Sequence, residues 1–168
     1  TLSDLIDNMK RLIKQNENNG NNSLFEAFFA NLKYFASRQI RNFATLSGNI
    51  ITGSPISDLN PILMANNAIL VLLSESHGLR SIPIRNFYLG YRKMDLKADE
   101  VLIKVILDLP ENNLEIVKAY KQSKRREDDI AIVNGCFRVK LDSLHKIDSL
   151  DLSYGGLAPT TIYLPIIN

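Results

Sequence analysis

The order in which two hydrophobic periods follow one another along the chain restricts its fold most. Leu2, Leu5, Ile6, Met9, Leu12 and Ile13 recur at spacings of three and four, which is the period of a helix with one apolar face, and Ser3 stands where a cap would. A second helix is predicted from Ser23, with Glu26 placed to complete a capping box and with Phe25, Phe28, Phe29, Leu32 and Phe35 along it. An aromatic stripe at helical spacing reads first as core packing. Between these helices, residues 15–22 are dense in asparagine and are expected to form a solvated loop. Beyond Gln39 the helical period stops. Strand-like runs are predicted at 40–45, 80–84, 101–109 (closed by Pro110), 115–121, 135–141 and 149–154. A small and polar segment covers 46–57, 58–65 has the character of a helix start, and an apolar run at 68–73 ends in a turn at 74–78. Helices first and strands after, without regular βαβ alternation, predict an α+β fold with mostly antiparallel sheet. No internal repeat is visible.

Several function classes fall away on simple counts. Lys plus Arg exceed Asp plus Glu by two in 168 residues, too small an excess to argue for nucleic acid or an anionic membrane. No apolar run approaches the roughly 20 residues that span a bilayer. Cys136 is the only cysteine, so this chain alone cannot build a disulfide scaffold or a cysteine-ligated metal cluster. His77 and His145 lack metal-ligand spacing and are expected at the surface, and Cys136 is expected to be buried and inert. With 45% hydrophobic and 23% charged residues, a chain of this length can bury about 70% of its unfolded surface without staples. It begins at Thr1 with no basic and apolar leader, and reads as an internal piece of a longer protein from a reducing compartment.

The stretch from Ala44 to Pro61 carries the chemistry. It holds hydroxyls at Thr45, Ser47, Thr52, Ser54 and Ser57 but a single charge, Asp58. Gly48 and Gly53 allow left-handed backbone or close approach to a ligand. An ionised carboxylate only accepts hydrogen bonds, so Asp58 suits a ligand rich in hydroxyl donors, and exposed loop amides suit phosphate oxygens. A phosphorylated, polyhydroxylated ligand fits this pattern. The same residues would equally serve an ordinary surface loop with a helix cap at Ser57 or Asp58. Neither a Walker A motif nor GxGxxG is present.

This segment resembles the flavin-binding stretch of the xanthine dehydrogenase family of molybdenum hydroxylases. Three further motifs follow in the family's order and spacing. They are Gly90-Tyr91-Arg92-Lys93, then Tyr120-Lys121-Gln122-Ser123-Lys124-Arg125-Arg126-Glu127-Asp128-Asp129-Ile130-Ala131, then Tyr154-Gly155-Gly156-Leu157-Ala158. The similarity runs from about Leu24 to Thr161, and the Arg-Arg-Glu-Asp-Asp run resembles the dehydrogenase branch rather than the related aldehyde oxidases.

The resemblance implies the later half of an FAD domain of the vanillyl-alcohol-oxidase and CO-dehydrogenase-flavoprotein kind over 1–109, and a small antiparallel-sheet subdomain over 110–168. It implies FAD contacts at Phe35, Ala36, Thr45, Asn49, Thr52, Ser54, Ser57, Asp58, Leu102 and Lys121, and positions facing NAD+ at Ile56, Tyr91 and Asp128. Leu102 would wall the flavin ring. Lys121 would stabilise negative charge developing at the ring's pyrimidine edge. The acids of 127–129 would tune NAD+ approach and flavin potential.

The chain departs from the family at three places: Thr45 replaces the usual Ser, Ser47 the usual Gly, and Lys33-Tyr34 the usual Arg-Trp. Arg126 is expected to stack on Tyr34, a contact worth roughly 0.5–2 kcal/mol. By the same resemblance the family's pyrophosphate loop lies upstream, and the molybdopterin, the 2Fe-2S clusters and every catalytic residue belong to other domains. The implied whole is a homodimeric, cytoplasmic enzyme (the peroxisome being the alternative compartment) that oxidises hypoxanthine and xanthine toward urate and passes the electrons to NAD+. An oxidase delivering them to O2 is one alternative. A structural fragment that does not bind FAD alone is another.

Overall fold

The computed structural model of the chain describes residues 1–16, 21–110 and 113–167, so residues 17–20 of the asparagine-dense segment lie outside it. Helix α1 (Leu2–Gln15) forms where the apolar period predicts, but its cap is Thr1 rather than Ser3. The Thr1 hydroxyl accepts from the Asp4 amide, and the Asp4 carboxylate accepts in turn from the Thr1 amine. Helix α2 (Ser23–Leu32) starts without a side-chain cap, so the predicted capping box is not made. Glu26 instead reaches Lys118, 3.7 Å away on the sheet that α2 covers.

The strand predicted at 40–45 is replaced by helix α3 (Arg38–Arg41) and a turn. The Ser37 hydroxyl caps it, and Arg41 Nη1 donates to the carbonyls of Phe35 and Ala36. Ile40 and Phe43 are 53% and 86% exposed, so no neighbouring strand exists to stabilise an extended backbone there. The small and polar segment at 46–57 is also partly helical. Helix α4 (Leu46–Thr52) runs from its Thr45 cap to Gly53, whose φ of 60° ends it in the left-handed conformation that glycine adopts without strain. Gly48 lies inside this helix and takes no such conformation. The helix start predicted at 58–65 is realised as α5 (Asn60–Ala65), with Pro61 in its first turn.

Strands β1 (Ile69–Ser74) and β2 (Gly78–Pro83) form a hairpin, followed by α6 (Ile84–Phe87) and the short pair β3 (Tyr88–Gly90) and β4 (Lys93–Met94), which the sequence reading missed. Strand β5 (Glu100–Ile106) is three residues shorter at its end than predicted and pairs with β1, giving a sheet of order β2-β1-β5. The rest of the chain is an antiparallel meander of β6 (Glu115–Gln122), β7 (Val133–Leu141), β8 (Ile147–Gly155) and β9 (Ile162–Ile167), the last also unanticipated. All strand pairs are antiparallel, and the chain is α+β.

Helix α5 joins the parts. Every one of its residues is buried, and it packs against β7, β8 and β9. Arg85 ties the same seam: its Nε donates to Met64 O at 3.0 Å and its guanidinium lies 3.4 Å from the centre of the Tyr163 ring. Among the described residues no helix is long and apolar enough to cross a membrane. His77 and His145 are exposed, while Cys136 is fully buried in β7 with its thiol pushed up to about 12 by burial.

One ion-pair cluster fixes the open end of the three-stranded sheet. Arg80 Nε is 2.5 Å from Glu100 Oε1, and its Nη1 is 3.2 Å from Asp95 Oδ2. The Arg80 bond, seconded by the Lys97 amide, lowers Glu100 from 4.5 to about 2. A carboxyl depressed on folding contributes stability above its unfolded value, and that contribution is lost as pH falls through the folded one. The domain is therefore expected to lose stability between about pH 4.5 and 2. Arg80→Gln should move acid unfolding, followed by limited proteolysis, to higher pH.

Candidate functional site

A cleft of about 440 Å3 opens between the end of α2, the 53–58 loop and the 124–131 loop, inside the roughly 300–1,000 Å3 range of small-molecule sites. Of the residues expected to contact FAD or NAD+, Phe35, Ala36, Asn49, Ser54, Ile56, Ser57, Asp58 and Asp128 line it. Residues up to 93 positions apart in sequence are thus brought to one surface. Arg92, Arg125, Asp129, Ile130 and Ala131 line it as well. All five sit inside motifs that carry the family resemblance, but side-chain type alone does not distinguish them from solvated loop residues.

The loop is shaped by its own hydroxyls. Ser57 Oγ donates to Asn49 Oδ1 at 2.6 Å and accepts from the amides of Leu59 and Asn60, so it links α4 to the start of α5. Ser54 Oγ accepts from the Ile56 amide at 3.3 Å. Thr45 and Thr52 are occupied within α4: Thr45 Oγ1 accepts from the Gly48 amide, and Thr52 Oγ1 donates to Gly48 O at 2.7 Å. Neither lines the cleft. Leu102 is also apart from it, 5% exposed in β5 and paired with Leu72 beside a separate depression of about 220 Å3. Tyr91 is 64% exposed next to Arg92.

Asp58, which lines the cleft, forms an ion pair with Lys121, which does not line it but borders a separate depression on the sheet, and the pair joins the loop to β6. Lys121 Nζ donates to Asp58 Oδ2 at 3.0 Å, and both side chains are 9% exposed. Burial raises the Asp58 carboxyl above its ordinary value, and the Lys121 ammonium opposes that shift. Asp58 Oδ1 is buried without a hydrogen-bond partner. A buried acceptor left unsatisfied costs about 1–3 kcal/mol.

The rim is charged and latched. Arg125 binds Asp129 through its amide at 2.8 Å and the Asp128 carbonyl through Nη2 at 2.9 Å, and the amide bond holds the Asp129 carboxyl below its ordinary value. Arg126 meets Tyr34 as expected, its guanidinium 5.2 Å from the ring centre and its Nη2 donating to the phenol oxygen at 2.7 Å. Ala36, Arg92 and Asp128, with φ of 42°, 50° and 50°, all lie on the cleft. Non-glycine residues in this region cost about 1–3 kcal/mol each and gather where surroundings hold a functional geometry.

The lining combines neutral polar side chains (Asn49, Ser54, Ser57), apolar ones such as Phe35 and Ile56, and the charged Asp58, Arg92, Arg125, Asp128 and Asp129. It fits the hydroxylated and phosphorylated portions of a flavin nucleotide. Among the described residues no group of three or more histidine, cysteine or acidic side chains is placed to hold a metal.

Comparison with known proteins shows the family. The family described as FAD binding domain in molybdopterin dehydrogenase matches residues 1–110, and the CO dehydrogenase flavoprotein C-terminal domain matches 118–165. Xanthine dehydrogenase of Dictyostelium discoideum is 43% identical over 176 residues, which cover 94% of this chain and 13% of that protein. Xanthine dehydrogenase of Oryza sativa subsp. japonica is 48% identical over 136 residues, covering 79% and 10%. The chain thus spans about an eighth or less of the length of these relatives. Among solved structures, carbon monoxide dehydrogenase from Hydrogenophaga pseudoflava superposes with a TM-score of 0.80 at 21% identity, covering 95% of this chain and 52% of that one. That likeness speaks to fold alone. With more than half its length matched to the first family, the chain belongs to the FAD binding domains of the molybdopterin dehydrogenases.

Proposed function

We propose that this chain is the flavin-holding part of a xanthine dehydrogenase-like oxidoreductase that converts hypoxanthine and xanthine toward urate and delivers the electrons to NAD+. The observation that carries the assignment is the cleft itself, where Asn49, Ser54, Ser57 and Asp58 of the 49–58 segment face the charged residues Arg125, Asp128 and Asp129. FAD bound there would supply the two-electron chemistry linking iron–sulfur clusters in another domain to NAD+. Asp58 accepts a cofactor hydroxyl, and Asn49 and Ser54 offer polar contacts on the same wall. Phe35 and Ile56 exclude water.

Lys121 acts on the cofactor through Asp58, to which it donates and whose burial-raised carboxyl it pulls back toward its ordinary value. Thr45, Thr52 and Leu102 belong to the second tier of this proposal, since two of the hydroxyls are spent on α4 and Leu102 faces another depression. Tyr91 and Asp128 flank the outer opening, where NAD+ would approach. The iron–sulfur and molybdopterin domains are the expected partners, in a cytoplasmic homodimer.

The purified parent enzyme, kept anaerobic with xanthine, water and NAD+, is expected to form urate, NADH and a proton in equal amounts. No NADH under anaerobic conditions, with urate and hydrogen peroxide forming together on admission of air, would replace the dehydrogenase reading with the oxidase one. Titration of FAD onto the 168-residue chain separately checks whether this part suffices for binding: unquenched flavin fluorescence at high micromolar protein would make it a structural fragment on its own.

A further inference from the structure

The cofactor loop is held from outside by the end of the C-terminal sheet. Three contacts reach it from three successive parts of that sheet. Lys121 in β6 binds Asp58, Asn134 Nδ2 in β7 donates to Ser57 O at 2.9 Å, and the Gly156 amide just after β8 donates to Pro55 O at 2.9 Å. Asn134 is 3% exposed; its bond to Ser57 O orients the side chain, which also acts on the Asp58 carboxyl and holds it down against burial. Asn134 pairs across the sheet with Gly155. A Cβ at Gly155 would lie 2.2 Å from Asn134 Oδ1 and 2.8 Å from Pro55 O, closer than such atoms approach. The missing side chain is therefore the space that the loop and the amide occupy together.

From this geometry we infer that Asn134 and Gly155 are positioning residues for the cofactor cleft. Neither lines it among the described residues, yet they set where Pro55, Ser57 and hence Asp58 stand. The loop's internal bonds connect it to α4 and α5 but do not tie it to the sheet. Cofactor affinity then depends on the sheet's register: a shift of β7 against β8 displaces the acceptor in the cleft. This rests on the cleft being the FAD site.

The test uses flavin-stripped parent enzyme, with FAD affinity read by fluorescence quenching and with iron and molybdenum content measured on the same samples. Asn134→Ala and Gly155→Ala are expected to bind FAD about tenfold more weakly or worse. They should also alter the visible spectrum of the rebound flavin at saturation. Cys136→Ala, fully buried on the same strand but without a bond to the loop, serves as the packing control and should stay within about twofold. Unchanged affinity in both positioning variants, with weak binding in Asp58→Ala, would overturn the inference and leave the cleft assignment standing. Normal binding in Asp58→Ala would overturn the cleft assignment itself. A loss in Cys136→Ala equal to theirs would reduce the effect to general destabilisation and reject it. Should Asn134→Ala fail to accumulate with its metals, Asn134→Ser, which keeps a polar side chain, is judged by the same criteria.

Discussion

Asp58→Ala in the parent enzyme is expected to lower the ratio of flavin to molybdenum at least tenfold. Two effects add. The cofactor loses a buried acceptor whose hydrogen bond is charge-assisted, worth about 1.5–3 kcal/mol. The Lys121 ammonium is also left 9% exposed with its 3.0 Å partner gone, and breaking a buried pair on one side costs about 3–5 kcal/mol. The second effect predicts that the cleft loosens even without cofactor, seen as faster proteolysis of the 124–131 loop. Asp58→Asn separates the two, because it keeps shape and an acceptor oxygen while removing the charge. Unchanged flavin occupancy in Asp58→Ala would remove Asp58 from the site.

Leu63→Ala should be the most damaging change outside the cleft. Leu63 is fully buried in α5, the helix that begins right after the loop and packs against β7, β8 and β9. Leucine-to-alanine changes at such sites cost about 2–5 kcal/mol, the spread reflecting how far the surroundings collapse. Little collapse is available here, because α5 is fixed at its start by Ser57 and at its end by Asn66, whose amide donates to Ile62 O at 2.8 Å. In the parent enzyme the temperature at which free flavin fluorescence appears should fall by several degrees. A shift within a degree of the unaltered enzyme would mean that α5 does not carry the seam.

Where the sequence was misread, a local signal was outweighed by a distant one. The 40–45 run has strand-like composition, yet Ser37 and Arg41 close a helical turn over it, and the Ala44 carbonyl accepts from the Leu2 amide at the start of α1 rather than from a strand. Glu26 has the spacing of a capping box but is drawn to Lys118, which no local pattern reveals. Strands β3, β4 and β9 are short or end the described chain, and their identity comes from the partners that pair with them.

What the sequence alone determined was the α+β order and the family, because periodicity, composition and ordered motifs are properties of neighbouring residues; the Arg126–Tyr34 contact, 92 positions apart, was expected from the family resemblance. Which loop residues face the cleft was decided only by the tertiary structure. Asp58 and Lys121 are 63 positions apart, and Ser57 and Asn134 are 77. Such pairs become favourable only after the sheet and α5 have excluded water and fixed both partners, and no short-range pattern encodes that. The hydroxyls of Thr45 and Thr52 look alike in sequence to those of Ser54 and Ser57, and all four are bonded locally, but the first pair is bonded within α4 and away from the cleft while Ser54 and Ser57 line it.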